Sequence, residues 1–451
     1  MITETGLEAL AAQGVAELLA TDPILYDLLE RERRRQHETL AMIASASAAD
    51  ASVLACLSSS LGNVTTEGYP GARFHAGCAV ADPVERLAVD RARHVFGAQY
   101  ANVQPHSGTS ANQIVLTSLL RPGDTLLGQR LTAGGHLTHG APPSFTGRYF
   151  RGVGYGVDAD GYLDYAEIRR LALAHRPKVI VCGASAYPRL IDFGRFRAIA
   201  DEIGAYLLAD ISHIAGLVAA GLHPSPVNAA HITTSSTYKQ LYGPRGGVIL
   251  MGGDADAPGP DGRRTLARTI DDGVFPYFQG TPQLNAIAAK ARAFGIVGAP
   301  PFRDLARRVL STASALAREL AGRGWHVLTG GTDNHMVLVD VSRRGLTGAV
   351  AEAALESCGI IVNKNQIPGD TKGPRVAGGL RFGTNTLALR GMDTTAMGLC
   401  ADLVDQVCRS IRMRGDRDFD LPDHVRADVA EQVARLCHDH PLPTISGAVH
   451  A

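Results

Sequence analysis

Lysine is rare in this chain: Lys178, Lys239, Lys290, Lys364 and Lys372 are all there are. Lys239 closes the hydroxyl-rich run Thr233-Thr234-Ser235-Ser236-Thr237-Tyr238-Lys239, and Gly243-Pro244-Arg245-Gly246-Gly247 follows just after. A primary amine among small polar side chains suits imine formation with a carbonyl, although a solvated surface lysine is the blander reading. Ser107-Gly108-Thr109-Ser110 opens a helical stretch running to Leu119. Small residues at a helix start leave backbone N–H groups free for a phosphate, or serve only as a cap. The apolar run Leu207-Leu208-Ala209 delivers Asp210 and then His213, while Gly134–Gly140 sets His136 and His139 in a glycine-rich loop. Amine, carboxylate, imidazole and phosphate cradle together describe the needs of pyridoxal phosphate. The carboxylate keeps the ring nitrogen protonated, the imidazole stacks on the ring and the lysine forms the imine. Competing chemistries find less support. No convincing G-x-S-x-G elbow appears, Gly152-Val153-Gly154-Tyr155-Gly156 lacks dinucleotide-fingerprint spacing, and no H-E-x-x-H or His/Cys cluster speaks for a metal.

The elements around these segments alternate. Helical stretches (Val84–Val95, Ser110–Leu119, Tyr165–Leu173, Phe196–Ile203) interleave with short apolar runs (Lys178–Cys182, Tyr206–Ala209, Gly247–Leu250). That pattern predicts a mainly parallel sheet covered by helices, with ligands beyond the carboxyl ends of the strands. Asp22-Pro23 starts a helix with the apolar stripe Ile24, Leu25, Leu28 and Leu29, followed by a solvated charge run. From about residue 300 a long helix and a second alternating block predict a smaller α+β unit. The expected organisation is an N-terminal helical arm (1–50), a large cofactor-binding domain (51–300) and a small C-terminal domain (301–451).

Composition narrows the class. The 451 residues carry 44 Lys+Arg against 44 Asp+Glu, a formal net charge of zero, with 45% hydrophobic residues. Zero charge without a basic block argues against nucleic acid or an anionic membrane as partner. No run reaches the ~18 apolar residues of a spanning helix, and the N-terminal segment has no signal-like pattern. Seven cysteines, odd in number and without C-x-x-C, read as reduced thiols of a cytoplasmic protein.

The motifs resemble those of the serine hydroxymethyltransferase family, from about Asp22 to Pro443. The resemblance is carried by EGYPGARFHAGC (Glu67–Cys78), FGAQYANVQPHSGTSAN (Phe96–Asn112), GGHLTHG, SAY (Ser185–Tyr187), ADISHIAGLVAAG (Ala209–Gly221), TYKQLYGPRGG and GLRFGT (Gly379–Thr384). It implies a fold-type-I, aspartate aminotransferase-like α/β architecture, with the cofactor imine on Lys239 and Thr237 beside it. Asp210 would pair with the pyridine nitrogen and His136 would stack on the ring. Ser185 and His213 would lie near the ring hydroxyl, and Ser107, Gly108 and Thr109 would hold the phosphate. Gly280 would come from a second subunit of a homodimer or tetramer with shared sites. Arg381 would clamp the amino acid carboxylate, assisted by Ser45. Leu131, Gly135, Leu137, Asn365 and Glu67 stand at folate-contacting positions.

Several positions depart from the family pattern. Two adjacent tyrosines are here Phe74 and His75, and a third is Thr65. A-S-E-N reads Ala44-Ser45-Ala46-Ser47, T-H-K reads Thr237-Tyr238-Lys239, and F-P-G-x-Q-G-G-P reads Phe275–Pro282 as FPYFQGTP. Lost phenols remove donors that could relay a proton, leaving His75 or Glu67 as the acid/base. The expectation is a repurposed member that works without tetrahydrofolate. It would process a bulky cysteine S-conjugate in secondary metabolism, as offshoots of the family do with lincosamide antibiotic intermediates. The bond broken would follow β-elimination or decarboxylation with oxidative deamination. Folate-dependent serine–glycine (or α-methylserine) exchange, threonine aldolase or transaldolase chemistry, and a cofactor-free scaffold are the alternatives.

Overall fold

The computed structural model describes residues 6–443. Its principal sheet has seven strands: β1 (Tyr100–Asn102), β2 (Thr125–Gln129), β3 (Arg151–Tyr155), β4 (Val179–Cys182), β5 (Tyr206–Asp210), β6 (Ile232–Ser236) and β7 (Gly247–Met251). They lie in the order β1-β7-β6-β5-β4-β2-β3. The β2, β3, β4, β5 and β6 pairings are parallel, and β7 runs antiparallel to both β6 and β1. Every residue of β4 is buried, as a strand covered on both faces requires. The expected helices are present with longer ends, for example Ala81–Phe96 and Gly108–Leu119. Asp164 and Asp192 cap the helices Tyr165–His175 and Phe193–Ile203.

Two strands escape a hydrophobicity reading. In β6 the side chains are mostly hydroxyls, yet the whole strand is buried. In and just after β3 the glycines of Gly152–Gly156 make room for neighbouring groups. A Cβ at Gly154 or Gly156 would collide with the Arg130 side chain, whose Nη1 donates to the Gly154 carbonyl at 2.8 Å.

A separate four-stranded antiparallel sheet joins His326–Val327, Met336–Asp340, Gly379–Gly383 and Asn363–Asn365. Helices Pro300–Gly322, Ala396–Ser410 and Asp423–Asp439 accompany it. Its core contains Leu316, Trp325, Val337, Phe382 and Val404, and also Leu40 and Met42 from far upstream. Leu40–Ala41 pairs in parallel with Ile360–Ile361. The buried Arg390 strengthens this union, donating to the carbonyls of Gln36 and His37 on one side and His440 on the other. A cation is well placed there, because these carbonyls end the helices Pro23–Glu38 and Asp423–Asp439.

Asp22 caps the helix Pro23–Glu38 as the sequence predicts, accepting from the Leu25 N–H at 3.1 Å. Within that helix Glu30–Arg33 and Glu32–Arg35 pair in solvent. Its stripe Ile24, Leu25, Leu28 and Leu29 stays exposed in the single chain. All seven cysteines are free thiols, and no described helix is long and apolar enough to cross a membrane.

Candidate active site

Six backbone segments converge at the carboxyl-terminal edge of the large sheet, as an open α/β sheet dictates. They are the loop after β1, the histidine loop after β2, Gly183–Ser185 after β4, Asp210 ending β5, Ser236–Lys239 after β6 and Gly246 before β7. They enclose a cavity of about 200 Å³ lined by Ser107, Gly108, Thr109, His136, Ser185, Asp210, His213 and Lys239, with Ser212, Ser236, Tyr238 and Arg245 beside them. A cleft of about 650 Å³ lies elsewhere, between Tyr162 and Trp325. It collects no comparable set of reactive groups, and its Asp340 is already held by Ser342 and Arg343.

Asp210 is the most constrained member. Its Oδ1 accepts from the Ser212 N–H at 2.9 Å, and its Oδ2 accepts from Asn112 Nδ2 at 2.7 Å and faces His139 Nε2 at 3.2 Å. His139 Nδ1 accepts the backbone N–H of His136 at 3.3 Å, so the proton of a neutral His139 sits on Nε2 and points at Asp210. Burial alone would raise the Asp210 carboxyl, but His139, His136 and Ser212 outweigh it and hold the group far below the usual carboxylate range. The carboxylate is therefore a fixed buried anion. Asn112 is itself fixed, donating to Thr138 Oγ1 at 2.9 Å and accepting from Thr234 Oγ1 at 2.5 Å. The buried hydroxyls of β6 thus orient the residues that orient Asp210.

His136 Nδ1 lies 2.7 Å from Thr138 Oγ1. Burial, then the neighbouring His139, lower its pKa to about 4, so the ring is neutral near pH 7 and free to stack as an uncharged plane. Donor atoms of His136, His139 and Asp210 lie within 4.8 Å of one another, close enough for a metal. The partners just described already occupy His139 and Asp210.

Lys239 is buried, and burial lowers its amine to about 8; Asp210 pulls it upward while Arg381 and Arg245 push it down. An amine near that value is readily available in its nucleophilic, unprotonated form. Next to it, Ser47 Oγ donates to the Tyr238 carbonyl, and the exposed Arg245 guanidinium lies 4.3 Å from the centre of the Tyr238 ring. His213 stacks on His335, ring centres 5.6 Å apart, and His335 Nε2 lies 3.1 Å from the Ala44 carbonyl. Ser45 follows directly on that anchored residue.

The residues present fit pyridoxal phosphate. Ser236 Oγ is buried without a hydrogen-bond partner and lines the cavity. A Cβ at Gly108 would meet Ser236 at 3.1 Å and Ser212 Oγ at 3.3 Å, so a side chain there would have to push both serines aside. Ser107 does act as a cap, its Oγ accepting from the Ser110 N–H at 2.9 Å. It orders the helix start whose first N–H groups remain available for an anion.

Not every expected residue reaches the cavity. Thr237 turns its hydroxyl to the Pro244 carbonyl at 2.7 Å; it braces the loop after β6 rather than lining the pocket. Arg381 lies at the edge, Nη1 on the Ser185 carbonyl and Nε on Asn363 Oδ1 at 3.1 Å. Asn365 is spent locally on the Gln366 carbonyl at 2.6 Å. Thr65, Glu67, Phe74, His75 and Gly280 form a separate surface region. A Cβ on Gly280 would lie 3.3 Å from Glu67 Oε1, Phe74 is 74% exposed, and its ring packs edge-on against Phe275 at 5.4 Å. His335 belongs to the support of the site without any role in the sequence reading, and Asn112, His139, Ser212, Ser236, Tyr238 and Arg245, which that reading places only within motifs, join it.

With this geometry in place, comparison with known families gives the class. The chain belongs to the serine hydroxymethyltransferase family, whose description matches residues 18–404. Members of that family are fold-type-I enzymes that use pyridoxal phosphate.

The buried histidines make stability depend on pH. Burial takes His136 to about 4 and His335 to about 3, against ~6.5 in an unfolded chain. Between pH 6.5 and those values the unfolded chain binds protons that the folded one refuses, so stability is lost as pH falls. Each such histidine contributes up to roughly 1.4 kcal/mol per pH unit within its window. We expect the denaturant midpoint of the cofactor-free protein to drop steeply from pH 6.5 to 4, and the drop to shrink in His335→Asn. An equal drop in both proteins would refute this.

Proposed function

We propose that the protein is a pyridoxal-phosphate enzyme that takes a bulky cysteine S-conjugate and cleaves it without folate, either by β-elimination or by decarboxylation with oxidative deamination. The observation that carries this reading is the region around Glu67. The exposed Phe74 ring packs edge-on against the half-buried Phe275, two aromatic rings that carry no phenolic hydroxyl, with His75 beside Phe74. Such an edge suits an apolar side group better than a small hydroxymethyl group. Enzymes of this family typically form oligomers. A second copy, in a homodimer or tetramer, would bring this edge to the Lys239 cavity.

Within the cavity the contacts support a division of labour. The bound cofactor supplies an electron sink, and Asp210 keeps its ring nitrogen protonated. Lys239 holds and returns the proton at the substrate's α-carbon. Arg381 orients the substrate carboxylate from the cavity edge. In β-elimination the Cα–H and Cβ–S bonds break, the thiol leaves, and hydrolysis of the remaining fragment gives pyruvate and ammonia. In the oxidative route the bond from Cα to the carboxylate breaks and carbon dioxide leaves, molecular oxygen takes two electrons and two protons to become hydrogen peroxide, and water displaces the nitrogen as ammonia, leaving an aldehyde.

Incubation with serine and tetrahydrofolate, in parallel with a cysteine S-conjugate, tests the proposal. Thiol plus pyruvate, or aldehyde plus oxygen uptake, supports it; efficient glycine formation from serine overturns it in favour of the folate-dependent reaction. Arg381→Lys should raise KM for the amino acid about 10–100-fold with little change in cofactor absorbance, because a point charge cannot reproduce the planar fork. An unchanged KM would place carboxylate recognition elsewhere.

A further inference from the structure

Lys290 lies outside the machinery described so far. It sits on the helix Leu284–Val297 and is buried, with all three ammonium hydrogens committed to backbone carbonyls. The acceptors are Val103 at 2.6 Å, Pro105 at 2.9 Å and Gly247 at 3.0 Å. Three carbonyl acceptors demand three N–H donors, which only the charged form has. No carboxylate pairs with it among the described residues. The nearest acid in its field, Glu85, is engaged by Arg73 at 2.6 Å and by Gln104 at 2.8 Å. Burying an unneutralised cation is costly, so a fold that keeps one invites a search for the missing negative charge.

The three carbonyls point to where that charge belongs. Val103 and Pro105 lead into Ser107-Gly108-Thr109, and Gly247 follows Gly246, which lines the cavity. A Cβ on Gly246 would lie 2.9 Å from the Lys290 Nζ, and one on Gly247 would lie 3.2 Å from the Gly108 backbone nitrogen. The ammonium thus stands one backbone layer behind the phosphate cradle. We propose that Lys290 is the buried countercharge of the cofactor's phosphate, a positioning residue that favours a dianion across the backbone without contacting it.

Burial lowers the Lys290 amine to about 7 and Glu85 draws it back up, so near neutral pH the charge that the three carbonyls favour is only partly held while the cradle is empty. His106, in the loop ahead of the cradle, is lowered first by its own burial and then by Lys290. A phosphate dianion in the cradle would reverse both tendencies. Its field would be only weakly screened so far from water.

This inference rests on the pyridoxal-phosphate reading, and the test separates the two. Dissociation constants are measured for full-length apoprotein with pyridoxal 5′-phosphate and with pyridoxal, which lacks the phosphate, in the wild type, Lys290→Met and Lys290→Gln. Glutamine keeps amide donors for the carbonyls but carries no charge. The expected result is that both variants bind pyridoxal 5′-phosphate about tenfold or more weakly, with pyridoxal affinity nearly unchanged. Should Lys290→Met fail to fold, the same ratio in Lys290→Gln decides. Equal weakening for both aldehydes, or wild-type phosphate affinity in Lys290→Gln, would reduce Lys290 to a backbone clamp and overturn the proposal. A wild-type protein that binds neither aldehyde would instead sink the cofactor assignment.

Discussion

Under the proposed function, Lys239→Ala is expected to abolish turnover of every amino acid substrate, lowering kcat by roughly 10⁴-fold or more, because the variant would lose both the amine proposed to form the imine and the group proposed to move the α-proton. The same change leaves the fold intact. Burial already disfavours the charged amine, as its lowered pKa of about 8 shows, so its removal relieves a desolvation penalty. Steady-state kinetics and the denaturant midpoint together check the claim. Reduction with borohydride should fix the cofactor covalently to the wild type and not to the variant. Measurable turnover above about one part in 10³ would show that another amine can act, and the description of the site would need revision.

Asp210→Asn lowers kcat by about 10²–10⁴-fold. The carboxylate accepts on both oxygens, from the Ser212 N–H on one and from Asn112 and His139 on the other. An amide offers one acceptor oxygen, so whichever way it turns, its NH₂ group faces an established donor. The variant also withdraws the anion that raises the Lys239 pKa. The apparent pKa of the active-site amine should therefore fall below about 8. A pH–rate profile of the variant reads both effects. Loss of activity with an unmoved profile would mean that the carboxylate acts through geometry alone.

Much of this site is legible in the sequence itself. Asp210 and Lys239 announce themselves by composition, one as the acid ending an apolar run and the other as a scarce cation among hydroxyls. The kind of chemistry follows from those residue types, whereas the assignment of each role to its position comes from resemblance to a family. What stayed hidden has physical causes. Strand β6 carries Thr and Ser where a buried strand normally carries Val and Ile, so hydropathy misses it; its burial is eased where the Thr234 and Ser235 hydroxyls donate to Asn112 and to the Ser236 carbonyl, while the Ser236 hydroxyl is left facing the cavity. His136 and His139 look equivalent in sequence. Only the bond from the His136 backbone to His139 Nδ1 separates an imidazole that holds Asp210 from one free to stack. The resemblance sets Thr237 beside the imine, yet alternating side chains near a strand end point in opposite directions, and its hydroxyl donates to the Pro244 carbonyl instead. The Glu67 region was expected in the same pocket, and within one chain it is elsewhere.

The pairing of Leu40–Ala41 with Ile360–Ile361 has a consequence for biosynthesis. A ribosome releases the first of these segments long before the second exists, so the early strand must wait, unpaired, while the large sheet is made. The parallel sheet can be assembled during translation; the second core cannot close until the chain is almost finished. Nascent molecules halted before residue 360 would therefore carry an ordered cofactor-side sheet and a dangling, protease-sensitive leader.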